Sequence, residues 1–136
     1  MRYVIDTNIW VFYLRKNEQV RQYLRQALTN RDEICIIPIV YFELLRGLEK
    51  RNDFESLEHI RRLWRTLSYY EATRAVWDTA IKLYVTALRQ NHKREDADIL
   101  IAAFADVLNA VIVTDNVRHF ETFGLAIVNW RANNGS

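Results

Sequence analysis

The stretch YVIDTN at residues 3–8 decides the fold of this chain. An apolar run ends abruptly at Asp6, and a second apolar run begins within a few residues. This pattern predicts a short buried strand followed at once by a helix over residues 8–15, with Thr7 or Asn8 as its N-cap. Open parallel α/β sheets hold their ligands at the carboxyl ends of the strands. A carboxylate in the position of Asp6 therefore marks a candidate functional site.

A second strand exit with the same chemistry lies near the other end of the chain. Residues 110–116 are AVIVTDN, so another apolar run closes on an aspartate, Asp115. An asparagine accompanies each acid, Asn8 behind Asp6 and Asn116 behind Asp115. If the two strands lie parallel in one sheet, both acids stand at the same edge. Taken singly, each acid has a simpler explanation as a turn residue, because Asp and Asn favour turns.

Length and composition favour one helix-rich domain. The 136 residues suit a single domain, which we place at residues 1–131, with residues 132–136 as a polar, mobile tail. Half of the residues are hydrophobic, so a sizeable core can form, whereas three glycines and one proline argue against a sandwich or barrel. The single cysteine, Cys35, excludes a disulfide within the chain. The net charge of +2 is too small to identify a partner.

The apolar runs lead us to expect a soluble, cytoplasmic protein with no membrane partner. Arg2 and Asp6 interrupt the apolar start of the chain, so we expect no signal peptide there. No apolar stretch reaches the length that a membrane-spanning helix needs.

Strand-like and helix-like patterns alternate along the chain. Continuous apolar runs predict buried strands, and apolar residues at helical spacing predict amphipathic helices. The predicted strands lie at residues 3–5, 34–37, 111–113 and 125–128, with a brief strand or turn at 68–70. The predicted helices lie at residues 8–15, 18–28, 40–50, 52–67, 72–90, 99–108 and 117–123. This alternation predicts a three-layer α/β/α sandwich with a mainly parallel central sheet.

Four acids stand out because they lie at strand ends or among apolar neighbours. They are Asp6, Glu43, Asp98 and Asp115. Glu43 is the only acid in an apolar helix start, and its simpler explanation is an ion pair with Arg46, three residues on. Asp98 could be no more than the N-cap of its helix, a role that Asp96 could also fill.

Several carboxylates gathered within a few ångströms need a cation, because each ionised group disfavours ionisation of the next. Oxygen ligands of this kind suit Mg²⁺ or Mn²⁺. Such an ion can bind phosphate oxygens, lower the pKa of a bound water and stabilise a leaving oxygen. The residues themselves therefore point to metal-assisted phosphodiester hydrolysis. Polar neighbours that could orient a water or a carboxylate are Thr7, Asn8, Thr114 and Asn116.

Other chemistries find little support in the sequence. It has no glycine-rich phosphate loop, no paired Cys or His zinc ligands and no Gly-x-Ser-x-Gly motif. The three histidines, His59, His92 and His119, stand in polar contexts and are expected on the surface. A phosphoacceptor signalling domain would also gather acids at strand ends, but it needs a lysine at a later strand end, and none is evident.

Four short motifs carry a likeness to a known family. They are VIDTN at residues 4–8, FELLRG at 42–47, DILIAA at 98–103 and VTDN at 113–116, the last followed by Phe120. In this order and spacing, over nearly the whole chain, they resemble PIN domains and, more narrowly, VapC-like toxins of type II toxin–antitoxin systems. The resemblance implies a Rossmann-like α/β/α fold and a Mg²⁺- or Mn²⁺-dependent endoribonuclease in which a metal-activated water cleaves RNA.

The resemblance also implies roles for individual residues. The acids that would hold the metal and be catalytic are Asp6, Glu43, Asp98 and, in a supporting position, Asp115. Asp96 would assist this site or only cap its helix. Basic residues that would hold RNA phosphates are Arg46, Lys93 and Arg94, with the arginines at residues 61–65 as a further candidate. The glycine usual before the later helix is missing here, where residues 91–94 are NHKR.

Such toxins pair with a cognate antitoxin, so the resemblance implies a homodimer or a toxin–antitoxin hetero-oligomer. Apolar surface for these contacts could come from the helix over residues 57–67 and from Trp10, Phe12 and Tyr13, although such aromatics are commonly ordinary core. The alternative function is a catalytically silent PIN module that acts only as a binding partner.

Overall fold

A five-stranded parallel sheet forms the centre of the computed structural model, which describes residues 1–131. The strands are β1 (Arg2–Ile5), β2 (Glu33–Ile36), β3 (Ser68–Tyr69), β4 (Val111–Val113) and β5 (Ile127–Val128). They lie in the order β3-β2-β1-β4-β5, and each neighbouring pair is parallel. The predicted parallel α/β fold is therefore confirmed, and β1 is its central strand.

Helices cover both faces of this sheet. Within residues 1–131 they are α1 (Thr7–Leu14), α2 (Glu18–Thr29), α3 (Pro38–Lys50), α4 (Phe54–Trp64), α5 (Arg74–Arg89), α6 (Asp96–Leu108) and α7 (Val117–Phe120). The chain steps outward from β1 through α1–α4 and returns to β4 through α5 and α6. Because such crossovers are right-handed, the two sets of helices lie on opposite faces.

The strands end level with one another, and this register positions the site. Ile5 pairs with Val113 on β4, and the preceding residue of β1, Val4, pairs with Cys35 on β2. Tyr69 of β3 in turn pairs with Ile36, the last residue of β2. The residues that follow β1 and β4 therefore emerge side by side at one rim of the sheet.

The core on either side of the sheet is built from the apolar strand residues and the inward faces of the helices. Trp10 is 1% exposed and packs edge-on against Trp64, with ring centroids 5.5 Å apart. Leu57 and Ile60 of α4 are buried as well. The expectation that Trp10 and the α4 stripe present apolar surface to a partner is therefore wrong, because these side chains fill the core.

The first helix cap differs from the prediction. Asp6, and not Thr7 or Asn8, is the N-cap of α1, because its backbone is extended and its carboxylate accepts a bond from the Thr7 amide. On α6 the N-cap is Glu95, which makes no capping bond through its side chain. Neither Asp96 nor Asp98 is a cap, since both lie inside the first turn of α6.

Other boundaries move by one to three residues. Pro38 opens α3, so the second strand ends at Ile36, one residue before its predicted end. The last strand is confined to Ile127–Val128, and the helix predicted over residues 117–123 divides into α7 and a 3₁₀ turn. The predicted polar tail at residues 132–136 lies outside the described residues. Within residues 1–131, no helix has both the length and the apolar composition to cross a bilayer.

Candidate active site

Asp6 is the buried centre of the site. Its side chain is only 7% exposed, at the point where β1 passes into α1. One carboxylate oxygen, Oδ2, accepts a 2.7 Å hydrogen bond from the hydroxyl of Thr114. The other, Oδ1, accepts a 2.7 Å bond from the Thr7 amide. Two strand exits therefore hold this carboxylate in one orientation.

Glu43 reaches the same rim from α3. The Thr7 hydroxyl donates a 3.1 Å hydrogen bond to Oε1 of Glu43, so Thr7 touches both Asp6 and Glu43. The predicted alternative, an ion pair between Glu43 and Arg46, does not form among residues 1–131. Arg46 instead places its guanidinium over the ring of Phe42, 4.8 Å from the centroid.

Asp98 approaches from the first turn of α6. Its Oδ2 lies 3.2 Å from Nδ1 of His119, a half-exposed residue of α7. The guanidinium of Arg94, in the loop before α6, donates to the backbone carbonyl of Arg118 at 3.2 Å. The Asp98 carboxylate is therefore oriented by α7, while Arg94 joins the loop to that same helix.

The pKa values show that three of these acids share one electrostatic environment. Burial raises the pKa of Asp6 to about 6, against the lowering effect of its bonds from Thr114 and Thr7. The charges of Asp98 and Glu43 raise this pKa further. The pKa of Asp98 is raised chiefly by burial and also by Glu43, while His119 and Arg94 oppose the rise. Negative charge at this rim is therefore disfavoured unless a cation accompanies it.

Asp115 stands apart from this trio. Its Oδ1 accepts a 3.0 Å hydrogen bond from Asn129, and its Oδ2 lies 3.5 Å from the guanidinium of Arg131. Its backbone amide donates to Asn8 at 3.4 Å, which ties the exit of β4 to α1. Asp115 is thus already paired within the chain, and the charges that raise the pKa of Asp6 are those of Asp98 and Glu43.

A metal ion fits the chemistry of this rim, although the carboxylates are not drawn together around one point. Among residues 1–131, no three Asp, Glu, His or Cys side chains stand close enough to coordinate one ion together. Mg²⁺ does not require such a cage, since it commonly takes one or two carboxylates and completes its shell with waters and substrate phosphates. The hard oxygen donors of the buried Asp6 and of the partly exposed Glu43 and Asp98 suit that mode of binding.

The other predicted site residues fall into two groups. Thr7, Asn8 and Thr114 bond to the acids or to their backbone, and the Asn116 amide donates to the Thr114 hydroxyl at 3.0 Å. Asp96 and Lys93 are exposed, and no contact joins either to the trio.

His119 and Asn129 contact these acids but were not predicted from the sequence as site residues. His119 was expected only as a surface histidine, and it contacts Asp98. Asn129 directly follows the apolar strand β5, as Asp6 follows β1, so the same signal of a polar residue at a strand exit could have identified it.

The chain belongs to the PIN domain family. A model of that family, described as PIN domain, matches residues 3–124, which include every acid of the site. The predicted family membership is therefore confirmed.

Relatives of known name extend this result. The chain is 32% identical over 123 residues to Ribonuclease VapC19 of Mycobacterium tuberculosis, covering 88% of this chain and 93% of the relative. It is 28% identical over 138 residues to the tRNA(fMet)-specific endonuclease VapC of Salmonella typhimurium, covering 96% of this chain and 98% of the relative. The predicted likeness to VapC proteins is thus confirmed.

Solved structures agree on the fold. VapBC-1 from nontypeable Haemophilus influenzae matches with a TM-score of 0.82 and 29% identity, over 97% of this chain and all of that one. VapBC2 from Rickettsia felis, bound to a DNA fragment from its promoter, matches with a TM-score of 0.87 over 96% of this chain and 99% of that one. At 24% identity, the second match supports the fold alone.

Proposed function

We propose that this protein is a metal-dependent endoribonuclease and the toxin of a toxin–antitoxin pair. The observation that carries the proposal is the convergence of Asp6, Glu43 and Asp98 from β1, α3 and α6 on one rim of the sheet, where the charges of Glu43 and Asp98 raise the pKa of Asp6 and that of Glu43 raises the pKa of Asp98. Relatives named as ribonucleases, at about 30% identity over most of the chain, support the same activity.

Asp6, Glu43 and Asp98 are the residues that would hold Mg²⁺ or Mn²⁺. An ion bound there supplies charge neutralisation, a water of lowered pKa and stabilisation of negative charge on the phosphate. Holding this ion near a phosphodiester requires carboxylates of defined orientation. Thr114 and Thr7 supply that orientation for Asp6, and His119 supplies it for Asp98.

Asp115 has a supporting role in this proposal. Its bonds to Asn129 and Arg131 leave it without the uncompensated charge that the trio has. Its backbone amide, which a side-chain substitution keeps, donates a hydrogen bond to the Asn8 side chain. This bond fixes the exit of β4 against α1 and so helps to hold Thr114 beside Asp6. A loss of Asp115 should therefore weaken activity less than a loss of Asp6.

An antitoxin is the expected protein partner. Solved neighbours of this fold include VapBC assemblies from two organisms, one of them 29% identical to this chain. We propose that this chain likewise assembles with a cognate antitoxin that suppresses its cleavage of RNA, and that it acts in the cytoplasm.

The test is cleavage of a defined RNA by the purified protein. Cleavage is expected with Mg²⁺ or Mn²⁺ and is expected to stop when the ion is removed by chelation. The Asp6→Asn variant is expected to be inactive at the same protein concentration, and equal cleavage by this variant would refute the assignment.

The alternative of a silent binding module has one observation in its favour. The carboxylates within residues 1–131 are not closed around a single coordination point. Titration calorimetry with Mg²⁺ and Mn²⁺ separates the two functions. Binding that disappears in Asp6→Asn supports the nuclease, whereas no binding above background, together with no RNA cleavage, supports the silent module.

A further inference from the structure

A second concave surface lies on the same side of the molecule as the acids, beyond α3. It is a cavity of about 470 Å³. Its lining consists of Ile36, Tyr41, Arg61, Trp64, Arg65 and Tyr69. Apart from Ile36, every one of these side chains is an aromatic or an arginine, which are the residue types that bind single-stranded nucleic acid through stacking and phosphate contacts.

The two tyrosines of this cavity expose their rings to solvent and pack against the core. Tyr69 is 47% exposed and Tyr41 39% exposed, whereas Trp64 beneath them is buried. The rings of Tyr41 and Tyr69 meet edge to face at 5.9 Å, and Tyr41 lies 5.7 Å from Trp64. A flat base could therefore stack on a tyrosine ring whose position is already fixed by packing.

The arginines of the cavity carry charge that the described part of the chain does not neutralise. Arg61 and Arg65 are exposed, and neither forms an ion pair within residues 1–131. Their neighbour Arg62 differs, because it pairs with Glu58 at 2.8 Å. The charge of Glu71 acts on Tyr69, on the aromatic side of the cavity, so a phosphate is favoured on the α4 side, where the arginines lie.

An aromatic and an arginine also cover the surface between this cavity and the acids. Residues of α3 advance by about 100° each around the helix axis, so Phe42 and Arg46 lie between Tyr41 and Glu43. Phe42 is 56% exposed and carries the Arg46 guanidinium against its ring. Aromatic and cationic side chains of α3 therefore lie between Glu43 and the cavity.

The register of the sheet sets the separation of the two sites. Tyr69 pairs with Ile36 at the end of β2, level with Ile5, which directly precedes Asp6. β3 lies two strands from β1, which corresponds to roughly 10 Å. A single strand of RNA with a phosphate at the acids could therefore lay a flanking nucleotide in the cavity.

We propose that this cavity is a subsite for a nucleotide of the RNA next to the cleaved bond, with its base on Tyr41 and Tyr69 and its phosphate held by Arg61 and Arg65. The inference rests on the proposed nuclease function and adds a position for a nucleotide next to the cleaved bond. Arg62 is excluded from the subsite by its ion pair with Glu58.

The test measures binding separately from cleavage. The full chain carrying Asp98→Asn, in chelator, binds a fluorescently labelled single-stranded RNA of mixed sequence, and fluorescence anisotropy gives its affinity. Adding Tyr69→Ala is expected to weaken this affinity about tenfold, in the range that one lost stacking contact produces. Adding Tyr69→Phe, which keeps the ring, is expected to leave the affinity within about twofold.

Salt dependence distinguishes the arginines from the tyrosine. Arg61→Ala and Arg65→Ala should each lower the slope of log affinity against log salt by about 0.7, the value for one phosphate contact on a single strand. Tyr69→Ala should leave that slope unchanged. Arg25→Ala, which removes an exposed arginine from α2, is the matched control and should change neither slope nor affinity.

Three results would overturn the subsite. If the wild-type protein cleaves RNA while Tyr69→Ala and Arg61→Ala bind and cleave it equally well, the subsite fails and the nuclease stands. If these variants lose affinity for the antitoxin and keep affinity for RNA, the cavity is a protein-binding surface. If the wild-type protein neither binds nor cleaves RNA, the proposed function fails, and the subsite fails with it.

Discussion

Asp6 and Asp115 follow neighbouring strands in nearly the same sequence context, yet their surroundings differ. Asp6 is buried, receives its bonds from a hydroxyl and a backbone amide, and adjoins two other acids. Asp115 is more exposed and is paired with the side chains of Asn129 and Arg131. A strand exit makes a carboxylate available at the rim, but its neighbours decide whether uncompensated charge remains for a cation.

The largest expected difference between the two acids is in catalysis. Asp6→Asn should lower kcat/KM for RNA cleavage about a thousandfold, because a buried, oriented charge at the reacting centre is lost. Asp115→Asn should lower it only about tenfold, as expected for a residue that orients others. Initial rates at saturating Mg²⁺ measure both, and equal losses would contradict the distinction.

The next difference is in the pH dependence of stability. The pKa of Asp6 is raised from 3.8 to about 6, so between these pH values the folded protein keeps a proton that the unfolded chain releases. In the absence of divalent ions, the free energy of unfolding should therefore fall by about 2.5 kcal/mol from this group as the pH rises from 4 to 7.

Urea unfolding across this pH range in chelator is the measurement. Asp6→Asn should remove most of the decline, since its amide does not ionise, and the remainder would come from Asp98, whose pKa is also raised. In Asp115→Asn, the free energy of unfolding should decline with pH as it does in the wild-type protein. A wild-type stability that rises with pH over this window would contradict the buried position of Asp6.

Magnesium should act on the two variants differently as well. An ion that binds only the folded protein stabilises it by about 2.7 kcal/mol at a concentration one hundred times its Kd. The increase in Tm on adding Mg²⁺ should be present in the wild-type protein and in Asp115→Asn and absent in Asp6→Asn. Stabilisation of equal size in all three proteins would indicate that the ion binds elsewhere.

The smallest effect is expected at the partner of Asp115. Arg131 is half-exposed, lies 3.5 Å from Asp115 and stacks on the ring of Phe12 at 4.3 Å. Because exposed ion pairs and cation–π contacts contribute little, Arg131→Ala should cost no more than about 1 kcal/mol of unfolding free energy. Activity should stay within a few fold of wild type, and a loss as large as that of Asp6→Asn would make Arg131 part of the catalytic site.

Most of the fold could be predicted from local sequence, because its signals are local. Among residues 1–131, apolar runs identified β1, β2, β4 and β5, and helical spacing identified the helices, whereas residues 68–70 were predicted only as a brief strand or turn. The cap of α1 was wrong because Asp6 serves as both strand exit and N-cap, two roles with the same sequence signature. The lengths of β2 and β5 depend on pairing with neighbouring strands, which local sequence does not report.

The site was predictable only in part, since its contacts join distant segments. The acids were recognisable as charges in apolar surroundings, which is a local feature. The bond from Thr114 to Asp6 spans 108 positions, and that from His119 to Asp98 spans 21. The pairing of Asp115 with Asn129 depends on the path of the chain after β5. Which acids keep uncompensated charge therefore becomes evident only from the folded arrangement.

The central position of β1 determines when the candidate site can assemble during synthesis of the chain. Strand β1 is synthesised before β2 and β4; it is flanked on one side by β2, but its other edge stays open until β4 has been synthesised. Until then Asp6 lacks the Thr114 hydroxyl and the neighbouring strand exit that orient it. A nascent or prematurely terminated chain without β4 therefore lacks the contact that orients Asp6, and the acids of the rim reach their folded arrangement only after β4 has been synthesised.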